Sequence, residues 1–481
     1  MDDVIIIGCG VVGAACAYAL SRYELNVTIL EAGSDIAAGT TKANSAIIHA
    51  GYDPVPGTDM AKLNLEGSNM AGDICRRLDV PYERVGSLVL AFDDADLQCL
   101  QTLLERGQAN GVEGLQLLSG EEVRAMEPNV SGRVLGALWA PTAAIINPWE
   151  YCLAMAETAV KNGVRLHRNC RVTGIRREQD GFLLTTTGGE FTAKYLINAA
   201  GVHADAVHEL IGEKEFTIRP SRGEYYLLDK CEGQRVRHVI FQCPGKEGKG
   251  VLVAPTVHGN LIVGPTAGPC TPEDVSNTAE GLHQVRERAL KSVPTIAFRE
   301  NIRNFAGVRA ASDVPDFIVR ESRSVPGFFQ AAGICSPGLS AAPAIAKRLT
   351  ELLARSGLEL CEKTEYDDSR RRLRFTRLTD GEKNELIAKD PRFGRVICRC
   401  ETVTEGEIVA CLHTPIPPCS VNGVKRRVGA GMGRCQGGFC GPRVQEIIAR
   451  ELHMDPVDVM LEEEGSYILI GETKGGGARG L

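Results

Sequence analysis

Apolar residues along this chain fall into two kinds of run. Val4-Ile5-Ile6-Ile7 and Val27 to Leu30 are short, unbroken and rich in β-branched side chains, the mark of strands buried on both faces. Ala14 to Leu20, between them, is built from helix formers. Tyr195-Leu196-Ile197-Asn198 and Phe328-Phe329-Gln330 repeat the buried-strand pattern and run out into small residues, Ala199-Ala200-Gly201 and Ala331-Ala332-Gly333. The second kind of run is arranged about turns. Gly250 to Thr256 and Asn260 to Thr266 flank Val257-His258-Gly259 as a hairpin, and Arg222 to Leu228 reads as another strand. From Arg355 to Arg395 the chain turns polar and charged, the pattern of a surface connector with helical stretches. The fold class predicted is α/β, with antiparallel strands interleaved among the parallel-type segments.

At 481 residues the chain exceeds one compact core, so two or three domains are expected. Its 43% hydrophobic and 24% charged residues are those of an ordinary globular protein. A net charge of −7 argues against a nucleic-acid binder. No run approaches the roughly 18 apolar residues of a membrane span. The start passes from two acidic residues straight into a strand, where a signal peptide would be basic and then apolar, so export is not expected. The seventeen cysteines are therefore not read as a disulfide framework, and reducing cytoplasm is the expected location. Cys9, Cys16, Cys75 and Cys152 lie in apolar or helical stretches as small core fillers.

Chemistry first appears at Gly8-Cys9-Gly10-Val11-Val12-Gly13, a G-x-G-x-x-G spacing directly after a strand. Gly8 suits a tight turn, Gly10 lets backbone N–H groups near Val12 approach a pyrophosphate, and Gly13 lets helix and strand pack closely. The helix N-terminus adds partial positive charge for phosphate. Glu31, followed by Ala32, stands eighteen residues past Gly13, where a carboxylate can accept from ribose hydroxyls. No second such motif occurs in a strand–helix setting, so one dinucleotide site is indicated. Position alone does not choose between FAD and NAD.

Three further segments bear on that choice. Gly39 to Gly51 carries small, hydroxyl and amide side chains, including Thr40, Thr41, Asn44 and Ser45, suited to line a phosphate and a ring. The second is the small-residue end at Ala199-Ala200-Gly201. The third is the glycine loop Gly333-Ile334-Cys335-Ser336-Pro337-Gly338-Leu339-Ser340. Together with Asn44 to Tyr52, Pro56-Gly57 and Lys62-Leu63, these segments resemble the D-amino-acid-oxidase-like FAD oxidoreductases over about Asp3 to Ala354. Within that family the resemblance is to two branches, L-2-hydroxyglutarate oxidases and FAD-dependent glycerol-3-phosphate dehydrogenases, notably the anaerobic form.

The resemblance implies an FAD-binding Rossmann-like domain interleaved with an antiparallel-sheet substrate domain over 1–354. Nucleotide-binding segments are expected at about 1–80, 145–210 and 300–354, and substrate-domain segments at about 81–144 and 211–299. It also implies flavin contacts at Val172, Ala200, Gly201, Gly307, Gly333, Gly338, Leu339 and Ser340. Arg309 resembles a phosphate-binding arginine, which would clamp an anionic substrate through its two-pronged donors. Its alternative is a surface arginine capping a loop. His49 is the candidate base for a substrate hydroxyl proton, imidazole being tuned for that near neutral pH. A structural histidine bonded to backbone is the alternative there. Two departures stand out: respiratory-type glycerol-3-phosphate dehydrogenases carry a lysine where this chain has Cys335-Ser336-Pro337, and their second substrate arginine has no counterpart near Asp313 to Asp316.

After a connector expected over 355–394, the region 395–465 holds Cys398-Arg399-Cys400 and, 35 positions after Cys400, Cys435-Gln436-Gly437-Gly438-Phe439-Cys440, with a tail over 466–481. Two close pairs can converge as four thiolates, which suit Zn²⁺ or an iron–sulfur cluster. Glycines around them leave N–H groups to bond sulfur, favouring the cluster. The pattern resembles the bacterioferritin-associated-ferredoxin-like [2Fe–2S] domain, with Cys398, Cys400, Cys435 and Cys440 as ligands and Cys411 and Cys419 outside the set.

Joined, the modules imply a dehydrogenase of a small hydroxy substrate, foremost sn-glycerol 3-phosphate, passing electrons through FAD and the cluster to a partner. That partner would be an acceptor subunit or second flavoprotein in a hetero-oligomer, with any membrane association peripheral and made through it. The other readings are a 2-hydroxy-acid dehydrogenase such as one for L-2-hydroxyglutarate, a secondary-amine or imino-acid dehydrogenase of proline or hydroxyproline type, and a non-catalytic electron-transfer subunit.

Overall fold

The structure is a computed structural model that describes residues 1–245 and 250–471. The chain divides into two compact units. The first holds Met1–Leu30 and Ala37–Ser369, and the second Glu31–Ile36 and Arg370–Leu481. The stretch expected as a connector thus divides at Ser369/Arg370, and its second half contains a short helix, Asp380–Lys389.

At the centre of the first unit is β1 (Asp2–Ile7), whose Val4 to Ile7 are all buried. It lies parallel between β2 (Val27–Leu30) and β3 (Gly189–Asn198). The outer edge of β3 pairs first with the antiparallel strand Gly181–Thr186 and then, at Leu196 to Asn198, with parallel β4 (Phe328–Ala332). Arg165–His167 extends the parallel set beyond β2, and Ile318–Glu321 and Val172–Glu178 complete eight strands. The helix α1 (Val11–Leu20) follows β1 and packs against α3 (Pro148–Lys161) and α4 (Gly338–Arg355), while α2 (Asp59–Arg77) also packs on α4. Cys9, Cys16, Cys75 and Cys152 are buried in these layers as expected of fillers.

A second sheet of nine strands, mostly antiparallel, contains Ser221–Leu228 and the hairpin Leu252–Pro255 with Leu261–Gly264. Its hairpin turn is held by Thr256, whose backbone N–H donates to Asn260 O and whose hydroxyl accepts from Asn260 N. Asn301–Arg309 pairs along the whole of Ser221–Leu228, which carries Arg309 into this sheet although its neighbours in sequence serve the first. Among the described residues no helix is long and apolar enough to cross a membrane.

One buried carboxylate anchors the approach to β4. Glu215 accepts from Ser322 Oγ (2.7 Å), Arg320 Nη1 (2.5 Å) and the N–H groups of Arg323 (2.7 Å) and Ser324 (3.2 Å). Burial opposes its ionisation, but these donors prevail and hold its pKa down at about 2. Glu215→Gln is expected to cost about 2–4 kcal/mol, because Arg320 is left without its counter-charge. A carboxyl depressed on folding stabilises above its unfolded pKa and loses that contribution as pH falls toward the folded value. Denaturant unfolding should therefore show the difference between wild type and variant shrinking between pH about 4 and about 2.

The second unit is small. Strands Val396–Cys398 and Val403–Thr404 pair, and helices Glu405–Cys411, Val421–Val428 and Gly441–Glu451 close a core in which Ile408, Val424, Ile448 and Val459 are fully buried. Thr404 and Glu407 form a capping box that starts the first helix. Asp35, 1% exposed, pairs with Arg427 (2.8 Å) and Arg426 (3.0 Å). Burial alone would raise this carboxyl; the two guanidinium groups, Arg427 foremost, hold it well below the usual carboxylate range.

Candidate functional site

Three of the segments singled out in the sequence meet past the carboxyl ends of adjacent parallel strands, where open α/β sheets bind ligands. Gly8 follows β1, Ala199-Ala200-Gly201 follow β3, and Gly333 follows β4. Gly8 N donates to Leu30 O (2.8 Å) and Ala199 N to Ile7 O (2.9 Å), which locks the first two turns together. Gly8 has φ +97°, and a Cβ there would lie 2.7 Å from Ala199 O. A Cβ on Gly13 would stand 2.0 Å from Gly8 O, so the helix can approach the strand only with glycine at that position.

At the start of α1, Thr41 Oγ1 accepts from Val11 N (3.0 Å) and would lie 3.3 Å from a Cβ on Gly10. Among the described residues no hydrogen bond is recorded for the N–H groups of Val12 and Gly13, the next donors of the helix end. A bare glycine cradle at a helix N-terminus with unspent N–H groups fits a pyrophosphate. Gly13→Ala is accordingly expected to yield protein without bound flavin, read as loss of flavin absorbance per chain.

The loop over 40–49 is held from both sides. Asn44 Nδ2 donates to Thr41 O (2.8 Å) and Thr40 O (3.2 Å), and its Oδ1 accepts from Ala46 N (2.8 Å). Thr40 Oγ1 donates to Val308 O (2.6 Å), and a Cβ on Gly307 would lie 1.9 Å from Ala43 O. The expected ligand-facing side chains Thr40 and Asn44 are thus engaged in shaping the loop, and Gly307 is there to let it pass. Ser45 Oγ faces Tyr225 OH at 3.3 Å, and Tyr225 stacks on Phe305 at 4.7 Å.

His49 sits at the end of this loop. Its N–H donates to Ser340 Oγ (2.8 Å), its carbonyl accepts from Ser68 Oγ (2.5 Å), and its ring stacks on Phe241 of the second sheet at 5.7 Å. Ser336 Oγ stands 3.5 Å from His49 Nε2. The glycine loop therefore meets His49 through Ser336 as well as Ser340. Ser340, expected against flavin, is fully buried and spent on the His49 backbone. Gly338 and Leu339 begin α4, and Gly333 takes φ +66° beside Ser312. Gly201 has φ +59° with open space around it, and Val172 packs on the cluster holding Ile5 and Ile7. Glu31 directly follows β2 in the chain, and its Oε1 accepts from Gly33 N (2.8 Å). Glu31 and Ala32 belong to the short segment grouped with the second unit.

Arg309 closes its strand with the guanidinium donating to Thr266 O (3.0 Å) and Ser221 Oγ (3.4 Å). Gly223 makes room for it, since a Cβ there would lie 2.4 Å from Nη2. Asp316, where a second substrate arginine was sought, accepts from Asp59 N and Met60 N and caps α2. Phe241, Tyr225, Ser336 and Gly223 were not among the expected site residues. Strand alternation marks Tyr225 and Phe241 as half of a face, but no local signal says which partner that face meets.

In the second unit, Cys400 Sγ lies 3.6 Å from Cys435 Sγ, and Cys398 is hydrogen-bonded to Cys440. That bond, helped by the N–H groups of Gly431 and Glu401, brings the Cys398 thiol down to about 6 against the effect of burial. The Phe439 N–H, with those of Gly437 and Gly438, lowers Cys435. Cys411 is instead buried with its Sγ on Ile408 O (3.1 Å), and Cys419 Sγ is directed at Ser34 O (3.6 Å). Among the described residues no three thiol, imidazole or carboxylate groups surround a single ion-sized point. Two thiol pairs with N–H donors on the sulfurs fit two bridged irons better than one tetrahedral zinc.

The comparisons agree with this geometry. Residues 3–352 match the FAD dependent oxidoreductase family, and residues 396–450 match the BFD-like [2Fe-2S] binding domain. A glycerol 3-phosphate dehydrogenase of Caloramator mitchellensis is 49% identical over 98% of this chain and 99% of its own. An L-2-hydroxyglutarate dehydrogenase of Escherichia coli O17:K52:H18 is 33% identical over 56% of this chain and 64% of its own. Among solved structures, the dithionite-reduced, FAD-bound L-α-glycerophosphate oxidase of Mycoplasma pneumoniae superposes with a TM-score of 0.73 at 33% identity, covering 76% of this chain and 98% of that one. With its larger part matched from Asp3 onward, this chain belongs to the FAD-dependent oxidoreductases, and it carries a [2Fe–2S] domain behind the flavin fold.

Proposed function

We propose that the protein is a glycerol-3-phosphate dehydrogenase, oxidising sn-glycerol 3-phosphate to dihydroxyacetone phosphate and passing the electrons to a partner protein in the cytoplasm. The observation that carries the reading is the placement of His49. Its imidazole, at the end of the 40–49 loop, meets the last glycine loop through Ser336 at 3.5 Å and the antiparallel sheet through Phe241, stacked on it. The extended identity with the Caloramator protein supports the choice of substrate.

Bound FAD would supply the hydride acceptor, with Gly8, Gly10, Val12, Gly13 and Thr41 to hold its pyrophosphate. His49 Nε2 takes the proton from the substrate hydroxyl, and Ser336 keeps the ring in register. Arg309, held in place by Thr266 and Ser221, offers its remaining N–H groups to the substrate anion. Cys398, Cys400, Cys435 and Cys440 hold the cluster, which accepts electrons singly. With a single dinucleotide motif, the chain hands them to another protein, an acceptor subunit or second flavoprotein.

The second reading is oxidation of a 2-hydroxy acid, favoured by the absence of a lysine from Cys335-Ser336-Pro337. Anaerobic titration decides between them. Glycerol 3-phosphate should bleach the flavin absorbance, while L-2-hydroxyglutarate and L-proline should leave it unchanged. Bleaching by either of the latter in place of glycerol 3-phosphate overturns the assignment.

A further inference from the structure

The loops around the four cysteines do more than hold sulfur. Phe439 is 87% exposed, although its own N–H bonds the Cys435 sulfur. Water is a poor solvent for such a ring. The ring itself lies almost wholly in solvent, while Gly437 and Gly438 shape the backbone path of the loop. A serine would serve the architecture equally well. The ring is therefore available to something outside the chain.

Positive charges outnumber negative ones in the segments beside it. Arg399 precedes Cys400, Arg434 precedes Cys435, and Arg443 lies one turn beyond Cys440; all three are exposed. Lys425 joins them by donating to Gln436 Oε1 (3.1 Å). The neighbouring carboxylates are Glu401, half-buried beside Cys400, and Glu446, paired with Arg443 at 3.0 Å. In a chain of net charge −7, three exposed arginines and one exposed aromatic in the segments that carry Cys398, Cys400, Cys435 and Cys440 are a local concentration of positive charge. Aromatic anchors in a ring of charge are how interfaces obtain both affinity and steering.

We propose that this face docks an acidic one-electron acceptor protein, with Phe439 as the anchor and Arg399, Arg434 and Arg443 as the steering charges. The proposal rests on the reading of the four cysteines as cluster ligands. One electron would cross at each encounter, from the cluster the four cysteines would hold to the acceptor, which is reduced by one.

The test uses full-length holoprotein reduced with dithionite, freed of excess reductant and mixed anaerobically with oxidised cytochromes. It is therefore independent of which substrate the flavin takes. The soluble domain of cytochrome b5, acidic around its haem edge, should be reduced faster than basic cytochrome c, with a rate that falls as salt is added. Phe439→Ser should slow the acidic cytochrome about tenfold and weaken its binding to the oxidised protein in calorimetry by a similar factor. The double variant Arg399→Glu with Arg434→Glu should reverse the preference. Ferricyanide, too small to need the ring, should be reduced by Phe439→Ser at the wild-type rate, and iron content should be unchanged in every variant. Equal rates for the two cytochromes at every ionic strength, or a Phe439→Ser protein indistinguishable from wild type, overturns the docking face. Iron-free wild-type protein, seen before any mixing, overturns the cluster ligands and the face together.

Discussion

His49→Gln is expected to slow reduction of the flavin by glycerol 3-phosphate by about 10²–10⁴-fold, the usual worth of a positioned general base. The fold holds the His49 backbone from both sides. The N–H is taken by Ser340 and the carbonyl by Ser68, and both bonds survive replacement of the side chain. The stacking on Phe241 and the approach of Ser336 are lost with the ring. Flavin content and thermal midpoint should therefore stay near wild type while anaerobic stopped-flow shows the slow phase. The residual rate should lose the pH dependence that proton removal by imidazole imposes. A variant that reduces its flavin at the wild-type rate would assign His49 to structure alone.

Removing Cys435 should produce the opposite division of labour. Cys435→Ala is expected to contain flavin that still bleaches with substrate, but no iron or acid-labile sulfide, and transfer to an external protein acceptor should collapse. Cys435 is one of the four thiols that would hold the cluster, beside Cys400 at 3.6 Å, and its loss would leave three. Cys411 and Cys419 are committed to Ile408 O and Ser34 O. Cys411→Ala and Cys419→Ser should accordingly keep full iron. Metal analysis is the check, and zinc recovered in place of iron would refute the cluster.

Some of this was legible in one dimension. The β-branched runs at Val4 to Ile7 and Val27 to Leu30 could only be buried strands, and the glycines between them could only serve a close helix approach. The geometry agrees, down to the 2.0 Å that a Cβ on Gly13 would leave to Gly8 O. The hairpin around Val257-His258-Gly259 was equally plain, because its turn chemistry is local. Arg309 was harder. Its neighbours in sequence serve the nucleotide sheet, yet its strand pairs with Ser221–Leu228. Strand pairing is a non-local choice, and no pattern within Asn301–Arg309 names its partner.

Side-chain roles divide along the same line. Thr40, Asn44 and Ser340 have the chemistry of ligand contacts and also brace the loop, each bonded to a backbone group. By itself the sequence determined the strand–glycine–helix nucleotide turn, the placement of four cysteines in two close pairs, and the α/β character, since all three follow from spacing within a few dozen residues. Only the tertiary structure decided that Ser336 and Phe241 frame His49, that Gly223 makes room for Arg309, and that Phe439 is left facing solvent. Those juxtapositions join residues up to almost three hundred positions apart, and what selects them is packing of whole sheets and helices, which no local run of side chains encodes.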